Sequence, residues 1–582
     1  MKKITELLTE ISEKAFIEAG CDAGFGRVNV SNRPDLCEYQ ANGCMALAKK
    51  MGKKPIEIAE AVAEKLSAHP EIRKAEACMP GFVNITVEPA FIGSYLDEMK
   101  DDPFLGVIRQ EKRRVIVDYG GANVAKPLHI GHLRSAVIGE ALKRICAANG
   151  HEAIGDVHLG DWGLQMGLII EELKDRNQKE FTLSDLEDIY PAASAKSKAV
   201  DENGAPTPEA AAFKARALES TKKLQAGDPE CTRIWERIME LSKADLKKNY
   251  DNLDVHFELW KGESDVQKYI PEMLKDLEER GIAHEDQGAL VVDIQEPSDK
   301  KEVPPCIVRK SDGASLYATT DLATLVEREK LFQPDDYVYV ADKRQDLHYM
   351  SFFRVARKAG IVKDGQDLTF LGFGTMNGKD GKPFKTRSGG VMRLEDLIRD
   401  IEDAVYEKIR ASRDESEVSD EEARKIAKTV GLAALKYGDL SNQAAKDYIF
   451  DIDRFTSFEG NTGPYILYTI VRIGSILRTY GKRSETSVTK AIEESADAKT
   501  LALSLSRFNE VVASAWEEKA PHKICQFIYE VSNNFNTFYH NVMILKCEDE
   551  ELKASYIALL ELTKEVLEKS IGMLGFSAPE KM

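Results

Sequence analysis

Short unbroken apolar runs, separated by stretches of helical period, mark the middle of the chain. Val115-Ile116-Val117 is the first such run, and a Gly-rich polar turn follows it. A helix is predicted from near Leu133, with Leu133, Val137, Ala141, Leu142 and Ile145 at helical spacing and an end near Gly150. Residues 153–159, Leu290-Val291-Val292, Val338-Tyr339-Val340 and residues 368–373 are further strand candidates. Continuous apolar runs suit strands covered on both faces. Strands alternating with helices predict a parallel sheet. From about 170 to 285 the chain is highly charged and helix-like, with 204–208 as a loop, which reads as a helical insertion into the sheet domain.

The flanks follow different rules. Residues 1 to about 110 mix helical stretches with short strands, and Pro80-Gly81-Phe82-Val83-Asn84-Ile85-Thr86-Val87 reads as a turn and an alternating strand. From Leu394 onward the period is almost wholly helical, for example at 394–409, 421–436 and 499–512. Residues 458–468, with Gly460, Gly463 and Pro464, look like a joint between two helical units. The expected fold is α/β. A Rossmann-type parallel-sheet domain (111–395) lies between an N-terminal α+β domain (1–110) and helical segments forming a stem (396–457) and a C-terminal all-helical domain (458–582).

Composition narrows the function classes. The 582 residues are 43% hydrophobic and 31% charged, an ordinary globular balance. The net charge of -18 argues against coating nucleic acid or docking on an anionic membrane, although a local basic path for one RNA stays open. Nine scattered cysteines with no C-x-x-C pair predict reduced thiols in a cytoplasmic protein and no structural zinc. The charged start, Met1-Lys2-Lys3-Ile4-Thr5-Glu6, does not resemble a signal peptide, and no run of about 18 apolar residues predicts a membrane span.

Candidate chemistry concentrates after the first apolar strand, in Asn123-Val124-Ala125-Lys126-Pro127-Leu128-His129-Ile130-Gly131-His132-Leu133-Arg134-Ser135. Ligands of open α/β sheets bind at the carboxyl ends of strands, and a helix N-terminus offers N–H groups to an anion. Two imidazoles three positions apart can reach one phosphate, Lys126 adds a cation, and Gly131 leaves room for a flat base on its backbone. The alternatives are a pair of structural histidines or a zinc site at His129 and His132, which lacks a third ligand nearby.

This stretch resembles the HIGH signature of class I aminoacyl-tRNA synthetases, and its flanks resemble the arginyl-tRNA synthetase family across essentially the whole chain. Gly160-Asp161-Trp162-Gly163 is similar to a further family segment. The family's second signature, KMSKS, finds a degenerate match in Lys382-Pro383-Phe384-Lys385-Thr386-Arg387-Ser388, where Lys382 and Lys385 fall on the two lysines. The resemblance implies that Lys126, His129, Gly131, His132, Lys382 and Lys385 bind ATP, and that all but Gly131 take part in catalysis. Lys126 resembles the lysine that compensates for the degenerate motif.

An arginine substrate needs a carboxylate for its planar guanidinium. Tyr317 and Asp321, four apart, share a face if helical, and the resemblance places them at the guanidinium. Gln345, in a stretch similar to the family's Gln-Asp-Leu-His, is implied at the amino-acid end, and Asp118 and Asn123 near the ammonium. A pocket of this polarity can reject smaller amino acids without a second check, so the insertion is not assigned to editing. The helical C-terminus resembles the family's anticodon-binding domain, with Tyr465, Tyr468, Arg472 and Arg478 as possible contacts. The N-terminal unit resembles the domain that touches the tRNA elbow, with Lys49, Lys50, Lys53 and Lys54 as a phosphate patch or a solvated helix end.

The implied activity is ATP-dependent activation of L-arginine and its transfer to tRNA(Arg), by a monomer, with Mg2+ expected beside the ATP and no metal held by protein side chains. Two rivals are a class I enzyme for another amino acid and a catalytically inactive tRNA-binding scaffold. The pocket residues separate the first and the retained His and Lys residues the second.

Overall fold

The computed structural model describes residues 1–311, 313–382, 392–413 and 416–582. Contacts divide the chain into two compact units, one of residues 1–110, 458–572 and 577–582 and one of residues 111–457 and 573–576.

The second unit is built on a four-stranded parallel sheet. Its strands are β1 (Arg114–Asp118), β2 (Glu152–Asp156), β3 (Asp336–Asp342) and β4 (Asp367–Phe373), in the order β4-β3-β1-β2. Val115, Ile116 and Val117 are fully buried, as a central strand covered on both faces requires. Helix α1 (Ile130–Ala148) connects β1 to β2, and the chain between β3 and β4 forms a helix from Asp346 to Ala359. The strand order therefore reverses between β1 and β3, which opens a crevice at their carboxyl ends.

The insertion supplies four long helices, Leu164–Asp175, Leu183–Ser197, Pro208–Gln225 and α2 (Pro229–Asn252). Helix α3 (Tyr317–Leu331) precedes β3. One strand expectation is corrected. Residues Ala289–Val292 do form a strand, but it pairs antiparallel with His284–Asp286 and Cys306–Arg309 in a separate small sheet. An apolar run records burial and not the direction of its partner, and here Leu290 and Val292 are buried against α3 and its neighbours. The helices Leu394–Ser412 and Asp420–Leu440 belong to this same unit.

In the first unit, a four-stranded antiparallel sheet runs in the order Val28–Val30, Tyr39–Ala41, Phe82–Val87, Ile72–Cys78. The expected alternation in Phe82–Val87 is real: Val83, Ile85 and Val87 are buried and their neighbours are not. The C-terminal part is helical throughout from Gly463–Tyr480 to Glu550–Met573. The helix expected over 499–512 is interrupted, as Ala496–Leu505 and Phe508–Glu517, at Ser506 and Arg507.

Candidate active site at the sheet switch point

Helix α1 starts three residues earlier than its apolar period suggests, so His129 is its N-cap and His132 stands in the first turn. The N–H of Gly131 donates to His129 Nδ1 (3.0 Å), and the N–H of His129 donates to His132 Nδ1 (3.2 Å). The ring centroids are 4.0 Å apart. Burial lowers the pKa of both rings; Lys126 adds to this at His129, and the His129 charge at His132, which is pushed down to about 3. Both imidazoles are neutral at pH 7. With each Nδ1 accepting, the proton sits on Nε2, which gives two N–H donors side by side.

The expectation that helix N–H groups would be open to an anion is corrected. The N–H of Ile130 donates to the Met392 carbonyl (3.1 Å), that of Gly131 to the His129 ring and that of His132 to the His129 carbonyl (2.8 Å). These backbone N–H groups are spent within the protein, and the polar hydrogens left at the turn are those of the imidazoles. Gly131 has a local reason as well, since a Cβ there would lie 2.7 Å from His129 Cε1. Lys126 directs its Nζ over the Tyr190 ring, 4.3 Å from the centroid. Of the second lysine loop, Lys382 is exposed at a tight turn in which the Gly378 N–H donates to its carbonyl (2.8 Å). Lys385 lies outside the described residues. Beyond the loop, the Leu394 N–H donates to the Leu128 carbonyl (3.0 Å), so residues 392–394 are pinned against the start of α1.

Helix α2 shapes the site from one face, through residues about seven apart. Trp235 Nε1 donates to the Asp161 carbonyl (2.9 Å), Ser242 Oγ accepts the Ala125 N–H (2.9 Å), and the Tyr250 hydroxyl donates to the Gly120 carbonyl. Ala125 has φ 63°, a conformation costly for a residue with a Cβ, and Ser242 holds it there. Ser135 Oγ accepts the Gly120 N–H (2.8 Å) and donates to the Val340 carbonyl (2.7 Å), joining the turn after β1 to β3.

A second group of side chains is centred on α3 and the turn before Ser264. Asp321, on α3, accepts from or shares a proton with His348 Nε2 at 2.6 Å. Tyr317 opens the same helix and is 73% exposed, free to meet a ligand. Sequence reasoning missed Glu263. Its carboxyl is raised to about 7, by burial first and then by the charges of Asp161 and Asp321, against the opposing effect of His158. The turn that carries it is docked by the buried Asp161, which accepts from the Ser264 N–H (3.0 Å) and Oγ (2.6 Å). The Gly-Asp-Trp-Gly segment thus has a use: it positions Glu263. Tyr349 was also missed. Burial and then the carboxylates of Asp118 and Asp321 push its hydroxyl pKa up.

The remaining expected residues are placed less simply. Asp118 ends β1, and its Oδ2 accepts from the buried Arg328 (2.5 Å). Asn123 is exposed, with its backbone bridged to Gly160. Gln345 is exposed at the end of the turn Lys343–Gln345. In the other unit, Tyr465 exchanges hydrogen bonds with Asn533 (2.7 Å) and Asn536 (2.8 Å), and the Arg472 guanidinium lies 4.6 Å from the Tyr468 ring centroid and 5.2 Å from that of Tyr539. Lys50 lies 4.7 Å from the Phe25 ring centroid, and Lys54 is 3.7 Å from Glu57, so two of the four N-terminal lysines have partners.

Three family descriptions match the chain: "tRNA synthetases class I (R), catalytic domain" over 98–452, "DALR anticodon binding domain" over 466–582 and "Arginyl tRNA synthetase N terminal domain" over 2–87. The arginine–tRNA ligase of Agathobacter rectalis is 56% identical and that of Alkaliphilus oremlandii 48% identical, each over the full length of both chains. Among solved structures, the Plasmodium falciparum arginyl-tRNA synthetase aligns with a TM-score of 0.82 at 24% identity, and the Thermus thermophilus enzyme with 0.79 at 21%, each covering both chains completely. At these identities the structural likeness speaks for the fold.

Proposed function

The chain belongs to the arginyl-tRNA synthetase family of class I, and from that membership we propose how its residues divide the work. It is an arginine–tRNA ligase. Arginine is activated with ATP to arginyl-adenylate, releasing pyrophosphate, and is then passed to a terminal ribose hydroxyl of tRNA(Arg), releasing AMP. The substrate carboxylate attacks the α-phosphate, so the protein supplies alignment and charge stabilisation rather than a nucleophile.

His129 and His132 donate their Nε2–H groups to the ATP phosphates, and Lys126, Lys382 and Lys385 supply cations. Gly131 keeps the His129 ring seated. Mg2+ would accompany the nucleotide and would supply further charge neutralisation there; among the described residues no group of three His, Cys, Asp or Glu is set to hold a metal. Asp321 and Glu263, with Tyr317, take the guanidinium. Asp118, Asn123 and Gln345 take the amino-acid end. The observation that carries this reading is Asp321, a carboxylate on α3 held by His348 Nε2 at 2.6 Å, four residues after the exposed Tyr317 that opens the same helix. A carboxylate so placed is the partner that a planar guanidinium needs.

Residues 111–395 serve as the catalytic domain, with the insertion at about 170–285 bracing it, and 396–457 as a stem. Residues 458–582 read the anticodon, with Tyr468, Tyr539 and Arg472 as stacking surface, and 1–110 contact the tRNA body. The enzyme acts as a cytoplasmic monomer, and no helix among the described residues is long and apolar enough to cross a membrane. Activation requires bound tRNA; arginine-dependent pyrophosphate exchange in its absence would overturn that point. The test of the function is charging of total tRNA with each of the twenty amino acids. Arginine alone is expected to be charged. Charging of another amino acid would favour a different pocket, and charging of none a binding scaffold.

A further inference from the structure

Across three neighbouring strands one row of side chains stands in register: Asp156 on β2 is opposite Asp118 on β1, and Asp118 is opposite Tyr339 on β3. Residues paired across neighbouring strands point to the same face. Two carboxylates directly opposite repel each other. Arg328, from the last turn of α3, lies across the whole row. Its Nη2 donates to Asp118 Oδ2 (2.5 Å) and Asp156 Oδ2 (2.6 Å), and its Nη1 to the Tyr339 hydroxyl (3.1 Å). The Arg328 and Asp156 side chains are each 1% exposed, whereas Asp118 is 17% exposed.

The count of charges leaves one over. Two carboxylates and one guanidinium sum to a formal charge of -1, and the only member of the row's acidic pair that reaches the crevice is Asp118. A charge in a site this dry attracts a cation strongly. Arg328 uses one oxygen of each carboxylate, through a single nitrogen. The other oxygen of Asp156 is buried away from the crevice, so what a ligand can reach is the second oxygen of the partly exposed Asp118, a single acceptor that suits the point charge of a primary ammonium better than a two-point guanidinium.

We propose that Arg328 is the residue that gives the amino-acid pocket its direction: by occupying Asp118 and Asp156 with a built-in guanidinium, it leaves Asp118 to the substrate ammonium and sends the substrate guanidinium to Asp321 and Glu263. Arg328 and Asp321 lie on the same helix, seven residues apart, so α3 carries both the occupant of one end and the acceptor of the other. Arg328 is a positioning residue, since it acts through Asp118. The inference rests on the reading of Asp118 as the ammonium ligand.

The experiment compares binding of L-arginine with that of its α-hydroxy analogue, in which a hydroxyl replaces the ammonium, by calorimetry on the full-length enzyme with tRNA present. Wild type is expected to prefer arginine strongly. Arg328→Gln is expected to cut that preference at least tenfold while ATP affinity stays within about twofold, and Arg328→Lys to restore part of it. A merely structural arginine would weaken both ligands alike and leave the ratio unchanged. Asp118→Asn separates the two claims. If the ratio collapses in Asp118→Asn but survives in Arg328→Gln, the role of Arg328 is wrong. If it survives in Asp118→Asn as well, the ammonium assignment is wrong, and the proposal goes with it. Should Arg328→Gln not fold, Tyr339→Phe takes its place: losing the Nη1 acceptor is expected to reduce the ratio two- to threefold, and an unchanged ratio overturns the proposal.

Discussion

His129 and His132 stay neutral because their rings are buried beside each other and near Lys126, and their Nδ1 atoms are spent on backbone N–H groups. Glu263 is the group in this site that titrates near neutrality, at about 7. Its ionised form is the one a guanidinium binds, so bound arginine lowers this pKa. Below pH 7 the free enzyme holds the proton and arginine must displace it. The kcat/KM for arginine is therefore expected to rise about tenfold per pH unit up to about 7 and then level off. Glu263→Gln should be low and flat over the same range; a wild-type profile with no inflection between pH 6 and 8 contradicts the assignment. Replacing His132 by Ala should cost about 10²–10³ in the rate of adenylate formation, as loss of one transition-state donor does. The histidines were legible from the sequence because their relation is local, three positions on one turn. Glu263 was not, because it sits 58 positions before Asp321 in a stretch crowded with charge, and only the fold brings them together.

At the scale of elements, α2 explains why the insertion is present at all in terms the structure supplies. Trp235, Ser242 and Tyr250 each fix a backbone atom of a turn in the site. Ser242→Ala leaves the buried Ala125 N–H without an acceptor, which is expected to cost about 1–3 kcal/mol in denaturant unfolding, and to lower activity with the turn displaced. The period of α2 is visible in sequence, but its targets are not, because a helix face carries no address. Ala125→Gly is expected to be neutral or stabilising by up to about 1 kcal/mol, since glycine accepts φ 63° without a Cβ; a clear loss of stability would show that the turn is not strained. Three strands of the parallel sheet were readable as apolar runs, whereas the fourth, expected at 153–159, is the short Glu152–Asp156 with charged residues at both ends. Ala289–Val292 gave the same signal while pairing elsewhere, because burial alone is what such a run encodes.

Over the whole molecule, composition and period mark where one pattern yields to another, but not which distant segments share a core. Residues 573–576 pack in the unit of 111–457, more than a hundred positions away from it in sequence. Lys436, fully buried and lowered to about 7 by burial and then by Arg144, donates to the Gly575 carbonyl (2.6 Å) and the Asp254 carbonyl (3.1 Å). Ending the chain after Gly572 is expected to lower the melting temperature measured by calorimetry, because it strips that lysine of an acceptor and uncovers Leu574 and Phe576; an unchanged melting temperature would mean the tail is not part of that core. The central claim concerns the pocket itself, and Asp321→Ala tests it most directly in steady-state aminoacylation of tRNA(Arg). The arginine KM is expected to rise at least about 100-fold while the ATP KM stays within about twofold, as removal of the guanidinium's charge partner predicts. Equal changes in both constants, or an arginine KM left at the wild-type value, would contradict the account.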